Sequence, residues 1–132
     1  MKLNIWLFPM KVILFSLLIL ATPLCMAQST ELVSPEQVKQ SNQDFRIIDV
    51  RSLEEYNNGH VPGALNIPHH DIANHAGLLP ADTEQPVVLY CRSGRRAGLA
   101  ASELKKMGYN NLFLMQGDMP AWREKGFDIA HD

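Results

Sequence analysis

Residues 86–109 read "PVVLYCRSGRRAGLAASELKKMGY", and the order of their signals decides the fold. The run 86–90 is short, apolar and β-branched, the pattern of a buried strand. Further on, Ala97, Ala100, Ala101, Leu104 and Met107 recur near helical spacing. Gly108 stands where a left-handed residue closes a helix. Between strand and helix lie Cys91, Arg92, Ser93, Gly94, Arg95 and Arg96. A strand, a tight loop and a helix in that order form the building unit of a parallel sheet.

The flanking sequence repeats this alternation. Upstream, Ser34, Pro35 and Gln37 make a capping box for a helix expected to run to about Asn42. "FRIIDV" (45–50) reads as a second buried strand. A short helix capped by Ser52 and stopped at Gly59 follows, then a turn and a brief strand over residues 64–67. The polar, punctuated segment 69–85 reads as a short helix and a surface loop. Downstream, "NLFLM" (111–115) is another buried strand, and 117–127 a last short helix with Trp122 turned inward. Phe113 and Trp122 are expected core aromatics. Strands alternating with helices point to an α/β fold, an open and mainly parallel sheet with helices on both faces.

In such a sheet ligands bind beyond the carboxyl ends of the strands, where Cys91 lies. Ser93 and Gly94 let the loop curl tightly over the helix start. Its amides then face whatever Cys91 carries, and the helix dipole adds roughly half a positive charge. Amides, dipole and three guanidinium groups together favour the thiolate form of Cys91 and draw in a small anion. Only the thiolate is a good nucleophile, so the pattern suits attack by Cys91 on an anionic substrate. A lone cysteine after a strand is ordinarily a small buried hydrophobe, and arginines are ordinarily solvated. Arginines at a helix start nevertheless oppose the dipole, which that reading leaves unexplained.

The N-terminus reads as a targeting segment. Lys2 and Lys11 precede a ten-residue apolar run, and "TPLCMA" ends it with Cys25 and Ala27 in the small-residue positions. Residues 1–27 are expected to be a signal peptide cleaved after Ala27, with export to the periplasm; an uncleaved inner-membrane anchor is the alternative. The remaining 105 residues, 28–132, suit one domain. With two lysines lost, the net charge moves from −2 to −4, which argues against nucleic acid or an anionic membrane surface as partner. Cys91 is then the only cysteine, a liability in an oxidising compartment unless its reactivity is used.

With these residues in view, the chain resembles the rhodanese family, specifically its small exported single-domain members, over about residues 32–127. "IIDVRSLEEYNNGHVPGALNIP" is similar to the family's first signature, and "VVLYCRSGRRAGLAASELKKMGY" to its active-site strand, loop and helix. One departure is visible: the family's Gly-Gly before the last helix matches Gln116-Gly117 here. The resemblance implies a five-stranded sheet and ping-pong sulfur transfer. Cys91 would take sulfane sulfur from thiosulfate or a related anionic donor, hold it as a persulfide, and yield it to cyanide or a thiol. Arg92, Ser93, Gly94, Arg95 and Arg96 would bind substrate, with Arg96, the sixth loop residue, at the rim. Asp49, Arg51 and His60 would be structural supports: Asp49 accepting loop amides, Arg51 pairing with an acid such as Glu55, and His60 fixing a turn. No cofactor and no metal are expected, and nothing in the sequence demands more than a monomer. Related phosphatases and arsenate reductases place arginine six positions after the cysteine, which here is Ala97, so a loop of this length suits a single sulfur atom. His69, His70 and His75 lack a second ligand group at zinc spacing. The competing reading is a non-catalytic domain that keeps the loop as an anion or peptide dock.

Overall fold

In the computed structural model, which describes residues 30–132, five strands form one sheet. The expected signal segment lies outside the described residues. The strands are β1 (Glu31–Val33), β2 (Arg46–Asp49), β3 (Leu65–Asn66), β4 (Val87–Tyr90) and β5 (Leu112–Met115), in the spatial order β1-β5-β4-β2-β3. Every pairing is parallel, with β4 at the centre between β5 and β2. The connections carry helices α1 (Pro35–Gln40), α2 (Leu53–Asn57) and α3 (Arg95–Lys106) and a 3₁₀ segment over Ala73–Leu78, and α4 (Asp118–Glu124) follows β5.

All four residues of β4 are fully buried, as a central parallel strand requires. Its side chains alternate between two cores. Val87, Leu89 and Cys91 face Ala97, Ala100, Ala101 and Leu104 of α3, whose three alanines give that face little bulk. Val88 and Tyr90 face the other layer, with Val38 of α1, Tyr56 of α2, and Met119 and Trp122 of α4. Helices therefore cover both faces. Trp122 turns inward and its Nε1 donates to the Asp128 carbonyl at 2.8 Å. Phe113 is only half-buried and meets Phe45 edge-on.

Both short N-terminal helices begin with complete capping boxes, Ser34 with Gln37 and Ser52 with Glu55. Two differences from the sequence expectation have local causes. The first helix stops at Gln40, because the Ser41 amide bonds back to Gln37 and residues 41–44 form a turn. The strand β1 has no sequence signal of its own. It is three residues long, Leu32 is 66% exposed, and only Val33 is buried, so pairing with β5 defines it.

A buried polar network joins β4 to the turn that follows α2. The Tyr90 hydroxyl donates to Asp49 Oδ2 at 2.7 Å and accepts the Val61 amide at 3.0 Å. Asp49 is fully buried and receives Arg51 through its amide (3.0 Å), Nε (2.9 Å) and Nη2 (2.6 Å). Arg51 Nη2 also donates to the Gly59 carbonyl at 2.8 Å. Arg51 therefore pairs with Asp49, two residues away, and not with Glu55. Burial and the Asp49 charge push the Tyr90 hydroxyl far above its ordinary range, so it remains a donor. His60 stacks on Tyr56 with ring centroids 3.6 Å apart, and its Nδ1 lies 2.9 Å from the Tyr56 carbonyl. Its backbone bridges to Ala130, tying the turn to the C-terminal segment.

Candidate active site

Strand β4 delivers Cys91 to the carboxyl end of the sheet, and the chain then turns directly into α3. Gly94 closes the turn with φ 90, a left-handed conformation that residues with a Cβ adopt at a cost. In this geometry the Gly94 amide donates to Cys91 Sγ at 3.0 Å. Arg92, Ser93 and Arg95 are exposed, Gly94 and Arg96 half-buried, while Cys91 itself has no exposed surface. The resting sulfur is thus covered by the loop that would serve it.

A second element fixes the nucleophile. The Cys91 amide donates to Asp118 Oδ1 at 2.8 Å, and the Cys91 carbonyl accepts the Met119 amide at 3.0 Å. Both backbone groups of Cys91 are therefore strapped to the start of α4. The turn before α4 uses two successive left-handed residues, Gly117 at φ 75 and Asp118 at φ 54. Asp118 is the only non-glycine with positive φ among the described residues. This corrects the matching of the Gly-Gly pair. The two left-handed positions are Gly117 and Asp118, so the departure from glycine is Asp118, and Gln116 lies before the turn. Aspartate is among the few residues that tolerate such a conformation. Here its carboxylate also finds the Cys91 amide.

The loop arginines have different fates. Arg96 forms a bidentate pair with Glu55, Nη1–Oε2 at 2.7 Å and Nη2–Oε1 at 2.9 Å, linking α3 to α2. Hydrogen bonds from Arg96, against a burial cost, hold the Glu55 carboxyl down at about 2. Glu55 is thus the partner of Arg96, whose guanidinium is already engaged at the rim. Arg92 and Arg95 have no hydrogen-bond or ion-pair partner among the described residues. His69 lies beside the loop; partial burial and the nearby Arg96 and Arg95 guanidinium groups lower its pKa. His75 is held by Asp71 at 3.2 Å, and no cluster of three metal-ligating side chains occurs among the described residues.

Next to the loop a cleft of about 230 Å³ opens between α2 and α4, lined by Arg51, Glu55, Arg92, Met119, Pro120 and Arg123. Of the groups named from sequence, the structure gathers Cys91 and the whole loop at one edge, with Glu55 against Arg96. Asp49, Arg51 and His60 lie behind them as the buried network. Asp118, Met119 and Arg123 escaped the sequence reading. An acid directly after a glycine that opens a helix was the available signal for Asp118.

The arrangement can stabilise an anion at Sγ through the Gly94 amide and the α3 dipole, inside a cationic rim. Comparison with known proteins agrees in extent and kind. Residues 34–125 match the rhodanese-like domain family. A protein of Allochromatium vinosum named sulfurtransferase is 34% identical over 88 residues, covering 67% of this chain and 80% of that one. The Bacillus subtilis protein YrkF is 34% identical over 102 residues, and there the match spans 75% of this chain but only 54% of the relative. Among solved structures, the Helicobacter pylori protein hp1203 is 34% identical with a TM-score of 0.63, over 76% of this chain and 89% of that one. A sheet of this order, a cysteine loop closed by a left-handed glycine, and matches of this length lead to one assignment: the chain belongs to the rhodanese-like domain family.

Proposed function

We propose that the protein is a sulfurtransferase that moves sulfane sulfur from thiosulfate, or a related anionic donor, through a persulfide on Cys91. The observation that carries this reading is the Gly94 amide pointing at Cys91 Sγ at 3.0 Å, at the start of α3. The Cys91 thiolate attacks the outer sulfur of thiosulfate. A new S–S bond forms, the old one breaks, and sulfite leaves with the electron pair. Cyanide then attacks the outer sulfur of the persulfide, leaving as thiocyanate and returning the Cys91 thiolate. Loop amides stabilise the sulfur anion in both steps, and Arg92 and Arg95 orient the donor's charged oxygens. Relatives named thiosulfate sulfurtransferase GlpE support the choice of donor; that of Shewanella oneidensis is 33% identical over 82 residues. The basic, apolar, small-residue pattern of residues 1–27 supports export to the periplasm, and the protein is read as a monomer there.

The test is turnover and mass. Thiosulfate plus cyanide should yield thiocyanate, and thiosulfate alone should add one sulfur, about 32 Da, to Cys91. Cys91→Ser should abolish both. Undiminished thiocyanate formation by that variant would refute the mechanism.

A further inference from the structure

The cleft beside the loop carries a charge, that of Arg123, that the sulfur-transfer steps above do not use. Three ionisable residues line it besides Arg92 at the loop edge: Arg51, Glu55 and Arg123. Arg51 is neutralised by Asp49, and Glu55 by Arg96. Arg123 reaches only carbonyl oxygens, Asn58 at 3.2 Å and Gly59 at 3.5 Å, and no carboxylate. Arg92 has no hydrogen-bond or ion-pair partner among the described residues. Two guanidinium groups without a carboxylate partner therefore line the cleft together with the apolar Met119 and Pro120.

The cleft is coupled to the nucleophile along three routes. Arg92 follows Cys91 in the chain. The Met119 amide bonds to the Cys91 carbonyl, and Glu55 is clamped to the loop's Arg96. Its volume of about 230 Å³ is below the roughly 300–1,000 Å³ of sites that take drug-sized ligands, so its occupant is small. Neither thiosulfate nor cyanide has a carbon chain to cover Met119 and Pro120. A short thiol bearing a carboxylate satisfies both parts, with carbon on the apolar residues and the anion on the arginines.

We infer that this cleft is the acceptor site, and that Arg92 and Arg123 select a small carboxylate-bearing thiol as the sulfur acceptor. The inference rests on the sulfurtransferase reading. The acceptor thiolate attacks the outer sulfur of the protonated Cys91 persulfide. A bond forms between the two, the Cys91 S–S bond breaks with its electron pair going to Sγ, and the proton stays on the departing sulfur as an acceptor persulfide. Arg123 acts on binding alone, as a specificity residue in the cleft wall.

The experiment loads Cys91 with thiosulfate, confirms the added sulfur by mass, and follows single-turnover discharge to 3-mercaptopropionate, 2-mercaptoethanol and cysteamine. The readout is the ratio of rates for the anionic and the neutral thiol, compared between proteins so that intrinsic thiol reactivity cancels. Arg123→Gln should lower that ratio about tenfold, Arg123→Lys should restore most of it, and Arg123→Glu should turn the preference towards cysteamine. An unchanged ratio in both Arg123→Gln and Arg123→Glu, on protein that has gained sulfur, would overturn the acceptor assignment and leave the transferase reading standing. Failure of the wild type to gain sulfur would instead remove that reading and the acceptor site with it.

Discussion

At Cys91 the chemistry depends on what covers the sulfur. The side chain is fully buried, yet three of its five loop neighbours are exposed. A small reagent should therefore outpace a bulky one by more than it does on free cysteine. We expect iodoacetamide to be favoured over an aromatic disulfide by an additional factor of about ten, measured by mass after timed quenching. Asp118 offers a second residue-scale test. Asp118→Asn keeps an acceptor for the Cys91 amide and tolerates the left-handed turn, so it should fold with nearly unchanged stability. Asp118→Ala leaves that buried amide unpaired and puts a Cβ without compensation at φ 54, which should cost about 1–3 kcal/mol in denaturant titration. Equal stability of the two variants would show that the strap is idle. The sequence disclosed Cys91 because charge and strand order point to it. It hid Asp118, because an acid's worth there comes from an amide 27 positions away.

Among the elements, the two left-handed turns separate folding from chemistry. A Cβ on Gly117 would lie 2.5 Å from Ala121 Cβ, whereas one on Gly94 would meet only Asp118 Oδ2 at 3.5 Å. Gly117→Ala should therefore lower the melting temperature more than Gly94→Ala, while Gly94→Ala, which displaces the amide at Sγ, should lose more turnover. The Glu55–Arg96 clamp between α2 and α3 predicts a pH effect. The Glu55 carboxyl titrates near 4.5 when free and at about 2 when folded, so its contribution is complete above pH 5 and is lost as pH falls towards 2. Solvent screens this half-exposed pair, which limits the effect to at most about 1 kcal/mol. Urea midpoints of Glu55→Gln should fall less than those of the wild type between pH 5 and pH 2. The resemblance implies an acid partner for Arg51, such as Glu55 four residues away. The fold joins Glu55 to Arg96 across 41 positions, a contact that no helical periodicity encodes. Helix α3 and strands β4 and β5 were legible because their apolar patterns are long or unbroken, and β1 was not, because one buried valine makes no pattern.

For the whole molecule, one buried network decides whether two halves of the fold stay in register. Asp49→Asn would leave Arg51 without its counter-charge in the interior, at a cost of about 3–5 kcal/mol. Thermal unfolding of that variant should occur far below the wild type, and a shift of a degree or two would show that the pair carries little. The proposed export makes a separate prediction: protein recovered from the periplasm should begin at Gln28 by N-terminal sequencing. The architecture could be read from strand–helix alternation and the resemblance, since burial on both sheet faces leaves near-continuous apolar runs. The cleft could not, because its walls come from α2, the loop and α4, three segments with no shared local pattern.

The double tether of Cys91 to the start of α4 has a practical corollary. The reactive thiol reports on the integrity of the chain's far end, so fraying or proteolytic clipping after Gly117 should change its labelling rate before the sheet comes apart. The same linkage gives natural variation a remote dial on reactivity, one that leaves every residue between Cys91 and Arg96 untouched.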